Sequence, residues 1–193
     1  MPDYYSEHFA ALSSQTQAPA GSALRAGHRA APGIAHARVY RSQARVDFRA
    51  TSVSIATSEV VRLFPLQSGD MVLDLRLSNQ VAWAGTTLTC DVGLHTIGDS
   101  HDGTALDADL FAAGEDLLTT HGQTDLLVTG AGSVTNSDRG IALWKMANLG
   151  GVTSYASDPF TTWDLTLTFQ TVSSVTTKGI VLVECWYTSA GTN

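Results

Sequence analysis

Between positions 69 and 78, Met71, Leu73, Leu75 and Leu77 occupy every second place, with Val72, Asp74 and Arg76 between them. The stretch 86–95 repeats the alternation, setting Leu88, Cys90, Val92 and Leu94 against Thr87, Thr89 and Asp91. In 160–170 it returns, with Trp163, Leu165, Leu167 and Phe169 against Thr162, Asp164, Thr166 and Thr168. Successive side chains of a strand point to opposite faces, so period two with one polar face predicts half-buried antiparallel strands. The stretches 46–55, 59–65, 125–129 and 179–188 read as further strands, the last apolar on both faces and therefore central. Gln67-Ser68-Gly69, Ala84-Gly85 and the stretch 130–132 supply turns. Seven or eight such strands predict an all-β fold, an antiparallel β-sandwich with the jelly roll as its leading arrangement.

Two short helices are expected to interrupt the sheets. Thr104 and Asp107 have capping-box spacing, Leu106 and Leu110 share a helical face, and Gly114 follows as a stop. A second helix starts near Asn136-Ser137-Asp138, runs through Ile141, Leu143, Trp144, Met146 and Leu149, and stops at Gly150-Gly151. It is apolar nearly all round, which predicts packing against a sheet end or a partner.

The first fifty residues depart from this pattern. They carry Arg25, Arg29, Arg38, Arg41, Arg45 and Arg49 against Asp3, Glu7 and Asp47, a balance of +3. Residues 51–193 carry five basic and fifteen acidic residues, a balance of −10. With three of the five prolines and no apolar periodicity before Val39, the N-terminal part buries too little to fold alone. The chain therefore reads as an extended basic arm, 1–45, and a sandwich domain, 46–193. An acidic body argues against binding nucleic acid by phosphate neutralisation, and no direct nucleic-acid binding is expected. Residues 1–20 contain acids and no apolar core of signal length, so no secretory leader is expected. Near the C-terminus the longest apolar run, 180–183, is far too short to span a membrane. Cys90 and Cys185 sit in strand patterns and read as buried free thiols.

The densest group of potential ligands is His95, Asp99, His101, Asp102, Asp107 and Asp109. Its spacing misses the calcium-loop pattern of alternate acids, a glycine and a distant glutamate. Asp107 and Asp109 are instead explained by the first turn of the predicted helix, where negative charge meets the positive dipole end. No G-x-S-x-G elbow is present, and Gly130-Ala131-Gly132 runs into Ser133, Val134 and Thr135, breaking the dinucleotide fingerprint. His95, His101 and His121 have no nucleophile paired with them in the sequence. Trp163, Trp186 and Trp144 read as core residues, and Trp83, beside Gly85, as the exposed one. No catalytic, cofactor or metal residues are assigned, and the protein is expected not to be an enzyme.

Ala56-Thr57-Ser58-Glu59-Val60-Val61-Arg62-Leu63, followed by the stretch Ser68-Gly69-Asp70-Met71-Val72-Leu73-Asp74-Leu75, resembles a line in structural proteins of tailed bacteriophages. So do Thr89-Cys90-Asp91-Val92-Gly93-Leu94, the stretch 105–113, the helix around Leu143-Trp144 and the closing hydrophobic strands. The resemblance covers about residues 46–188. It implies a small jelly roll of the capsid cement or decoration type, often trimeric, sitting on the outer capsid and made in the host cytoplasm. The partner would be the major capsid protein; the arm lies outside the resemblance, and its basic charge makes Arg25, Arg29, Arg38, Arg41 and Arg45 the candidate capsid contacts. The other class is a carbohydrate- or receptor-binding module of a phage tail or fibre, for which an exposed aromatic pair near Trp83 or Tyr155 would speak.

Overall fold

Eight strands form two four-stranded antiparallel sheets in the computed structural model, which describes residues 39–49, 55–98, 102–118 and 122–189. They are β1 (Val39–Asp47), β2 (Val60–Gln67), β3 (Met71–Val81), β4 (Thr87–Thr96), β5 (Ala105–Asp116), β6 (Gly122–Asp125), β7 (Thr162–Ser173) and β8 (Ile180–Thr188). One sheet has the order β1-β8-β3-β6 and the other β2-β7-β4-β5. The pairs β1·β8, β2·β7, β3·β6 and β4·β5 fall alternately in the two sheets. The chain thus runs as one long hairpin with its tip between β4 and β5, rolled so that successive pairs land on opposite layers. The β3·β8 and β4·β7 ladders join them. This is a jelly roll.

The core lies between the layers. Leu88, Cys90, Val92, Leu94, Trp163, Leu165, Leu167 and Phe169 from one sheet meet Val72, Leu75, Leu77, Val181, Val183 and Cys185 from the other. Phe48 packs edge-on against Phe169 at 5.5 Å and tilts against Trp83 at 5.2 Å. Each fully buried Leu or Phe side chain contributes about 1.5–3 kcal/mol relative to an exposed one. A one-turn helix α1 (Leu126–Thr129), a 3₁₀ turn (Asn136–Asp138) and helix α2 (Leu143–Leu149) fill the connection from β6 to β7. Leu143, Met146 and Ala147 of α2 are buried, so the helix spends much of its apolar surface on its own domain.

Several expectations are corrected. Residues 39–45, read as part of the arm, form most of edge strand β1, which pairs with β8 from Val39 to Asp47. The strand expected over 46–55 ends at Asp47, and 50–54 lie outside the described residues. The helix expected over 105–113 is strand β5: a nine-residue helix has little stability of its own, and β4 offers an edge that pairs with Ala105, Asp107, Ala112, Glu115 and Asp116. The strand expected over 125–129 stops at Asp125, whose carboxylate caps α1 by accepting the Leu127 amide at 3.1 Å. The second helix is broken at Gly140, where φ is +76°, and resumes only at Leu143. In β3 the inward series is Val72, Leu75, Leu77, because a bulge at Leu73 shifts the register against β8 and reverses the parity.

Candidate assembly surface

The outer face of the β1-β8-β3-β6 sheet carries the charged side chains of its four strands. Register sets Arg41 beside Trp186 and Gln43 beside Glu184. Across β8, Asp74 lies beside Trp186 and Arg76 beside Glu184, and Arg76 in turn lies beside Asp125 of β6. Arg41 donates to Glu184, which also accepts from Gln123 Nε2 at 3.0 Å. Arg76 donates from Nε to Asp74 at 2.7 Å and from Nη1 to Gln123 at 3.1 Å. Arg139, from the connection after α1, donates from Nη2 to Asp125 at 2.6 Å. Its Nη1 donates to the Leu73 carbonyl at 3.1 Å, so a side chain serves the bulge. Arg41, Arg76 and Arg139 thus meet Glu184, Asp74 and Asp125, and the cluster is neutral as a unit.

Trp186 sits in its midst, with the Arg76 and Arg41 guanidinium carbons 4.9 and 5.3 Å from the ring centroid. Glu184 is 5% exposed although its partner Arg41 is well exposed. At the rim, Arg45 Nε donates to Gln80 at 2.9 Å. The face is a polar plane ordered by its own ion pairs, with one aromatic ring among them.

The outer face of the second sheet carries a polar network. Arg62 ties Asp164 (2.7 Å) to the carbonyls of Thr96 (2.9 Å) and Gly103 (2.7 Å), clamping the end of the β4–β5 connection. His95 Nδ1 meets the Thr166 hydroxyl at 2.8 Å. Burial lowers the His95 pKa, Arg62 adds to this and Asp164 opposes it, so the ring is neutral near pH 7. Asp91 accepts the Gly114 amide at 2.8 Å and also a bond from Gln170.

Of the predicted contact residues, Arg41 and Arg45 lie on this outer face of β1, whereas Arg25, Arg29 and Arg38 lie outside the described residues. Arg76, Arg139, Glu184 and Trp186 were not singled out by sequence. Only the Asp74-x-Arg76 alternation hinted at them, because cross-strand register is invisible in one dimension. Trp186, expected in the core, is on the outer face between two arginines. Trp83, expected to be exposed, is buried against Phe48. Tyr155 packs tilted against the buried Trp163 at 5.8 Å, so no exposed aromatic pair forms at these two positions. Of the six potential ligands, Asp99 and His101 lie outside the described residues, and His95 is engaged by Thr166. Asp107 and Asp109 stand on a strand, not in a helical first turn. Among the described residues no three His, Cys, Asp or Glu side chains gather as a metal cluster, and no helix is long and apolar enough to cross a membrane.

No protein-family model and no curated protein matches the chain. Among solved structures it is similar to a chain in the capsid of Ralstonia phage GP4, with a TM-score of 0.51 and 12% identity, covering 86% of this chain and 94% of that one. It is also similar to a chain in the cyanophage Pam1 capsid asymmetric unit, with a TM-score of 0.47 and 17% identity over 89% and 99% of the two chains. At such identity the GP4 likeness bears on the fold alone, over 86% of this chain and 94% of that one.

Proposed function

We propose that this protein is a non-enzymatic structural subunit of a phage virion, a cement or decoration protein that binds across major capsid subunits on the outer head. The observation that carries this reading is the fold shared with a chain of the GP4 capsid over 94% of that chain's length. The Arg–Trp186 face of the first sheet adds support, since its side chains are already held by one another and lose little entropy on contact. The basic residues 1–38, with Arg25, Arg29 and Arg38, would grip acidic capsid residues while Arg41 and Arg45 contribute from β1. Such ion pairs give about 0–1 kcal/mol each when exposed and more when desolvated.

The subunit acts as a homotrimer, so that one body bridges three capsid subunits through equivalent contacts. Leu149 at the end of α2, Val152 and Phe160 supply exposed apolar contacts. Phe160 is 89% exposed and held at a φ of +49°, with Asp158 accepting its amide at 2.8 Å. A bulky residue fixed in that conformation costs about 1–3 kcal/mol, and such strain concentrates at contact sites.

The deciding experiment heats particles with and without the protein and follows DNA release. Release at a higher temperature from saturated particles is expected. Equal release temperatures at full occupancy would sink the cement role and favour a receptor-binding part of the tail or fibre.

A further inference from the structure

We infer that the sandwich carries two complementary docking surfaces for copies of this chain. The basic flank formed by β1 and β2 of one subunit seats on the acidic flank formed by β5 and β6 of the next, head to tail. The inference rests on the homotrimer proposed above and names the contact that closes it. β1 and β2 are the edge strands on one side of the two layers and pack against each other. β5 and β6 are the edges on the other side, with α1 packed against both. Every subunit therefore presents its two flanks in opposite directions.

Their charges are opposite. Along 39–49 and 59–67 stand Arg41, Arg45, Arg49 and Arg62 against Asp47 and Glu59, four bases to two acids. β5 and β6 hold Asp107, Asp109, Glu115, Asp116 and Asp125 and no Lys or Arg. Two local features turn this balance outward. In β5, Leu94 pairs with Asp107 and Val92 with Ala112, so residues 108–111 face Gly93 alone, and Asp109 stands exposed on that excursion. On β1, the exposed Arg45 commits only its Nε, to Gln80 at 2.9 Å. Among the described residues its two terminal nitrogens have no hydrogen-bond partner.

Apolar side chains sit among these charges. Val39 and Val60 are exposed on the basic flank, and Val128 of α1 and Leu149 of α2 are exposed beside the acidic one, where both helices pack against β5. The apolar groups supply affinity, while the charges fix orientation and register. Sign decides the symmetry. A twofold contact sets a patch against its own copy, which here would bring acids to acids or bases to bases. Opposed flanks join heterologously instead, and such contacts close as a ring, here of three. Part of the β5 edge is taken up by its own chain, since the Val134 amide donates to the Leu110 carbonyl at 3.1 Å. Side chains rather than a continuous sheet therefore make the contact there.

The test sediments the full chain at micromolar concentration. The trimer expected at low salt should loosen as salt is raised. Arg45→Glu and Asp109→Lys, both at exposed positions, should each weaken association about tenfold or more. Arg45→Gln and Asp109→Asn, which keep the side-chain shape, should weaken it less in the same direction. Mixing the two charge-reversed variants should raise the average mass above that of either alone, because each brings the flank that the other has lost. No loss from either reversal, or no gain on mixing, would overturn the inference, as would a twofold dimer of the unaltered chain. Loss on reversing Arg25, Arg29 and Arg38 with none on reversing Arg45 would give the acidic flank to residues 1–38 and overturn it too. An unaltered chain that stays monomeric would also overturn it, while the cement role is still judged separately by the heating of particles.

Discussion

Asp107 makes the residue scale measurable. Its folded-state pKa of about 6 lies above the ordinary 3.8, so between these values the folded chain holds a proton that the unfolded chain has released. That contribution is fully present below about pH 4, is lost as pH rises, and is gone above about pH 6. Asp107→Asn keeps an acceptor for the Asp109 amide but cannot ionise. The variant's advantage in urea midpoint should therefore widen from pH 4 to pH 6 and then level off. A constant offset across that window would show that the carboxylate is solvated in the fold. Phe160 offers a second test. Phe160→Ser should weaken self-association in sedimentation while leaving monomer stability unchanged or slightly raised, because the side chain buries almost nothing within its own domain.

At the scale of elements, two irregularities govern the sandwich. The β3 bulge turns Leu73 out of sequence and leaves a carbonyl that Arg139 takes up, while the same guanidinium holds Asp125 of β6. Arg139→Met preserves the aliphatic stem but removes these bonds, and a loss of about 1–3 kcal/mol in chemical denaturation is expected. The β5 irregularity depends on Gly93, because a Cβ there would overlap the backbone of Asp107 and Ala108. Backbone cannot swing aside as a flexible side chain does. Gly93→Ala should cost about 1–3 kcal/mol or more and lower the unfolding midpoint accordingly. A midpoint unchanged within error would mean that β5 can move away from β4.

At the scale of the whole molecule, Cys90 and Cys185 stand on opposite sheets, both free and buried in the shared core. Burial is the main reason that both thiols are pushed far above their ordinary pKa, with Glu115 and Asp91 adding at Cys90 and Asp70 and Asp74 at Cys185. Neither should react with a thiol reagent in native buffer, and both should react in denaturant. Reaction of one thiol without unfolding would reveal an opening of the sandwich. In the proposed assembly the basic residues 1–38 and the Arg–Trp186 face should make capsid binding weaken with salt, but only in part, because apolar contacts remain.

Alternation along 86–95 and 160–170 was enough to recognise β4 and β7 and their inward residues, because strand periodicity is a local property of the backbone. The same locality explains the misreadings. Residues 105–113 satisfy a short helix as well as a strand, and the β4 edge, brought alongside by the rolled hairpin, decided for the strand. Residues 39–45 carry arginines at alternate exposed positions and looked like arm until β8, some 140 residues away, paired with them. Trp186 looked like core by its type, but register turned it outward between Arg41 and Arg76. The order of hydrophobic and polar positions by itself determined an all-β sandwich and most of its buried series. Tertiary structure alone decided which edges pair, where bulges reverse a face, and which charges meet, because those depend on hydrogen bonds and contacts between segments that no local pattern encodes.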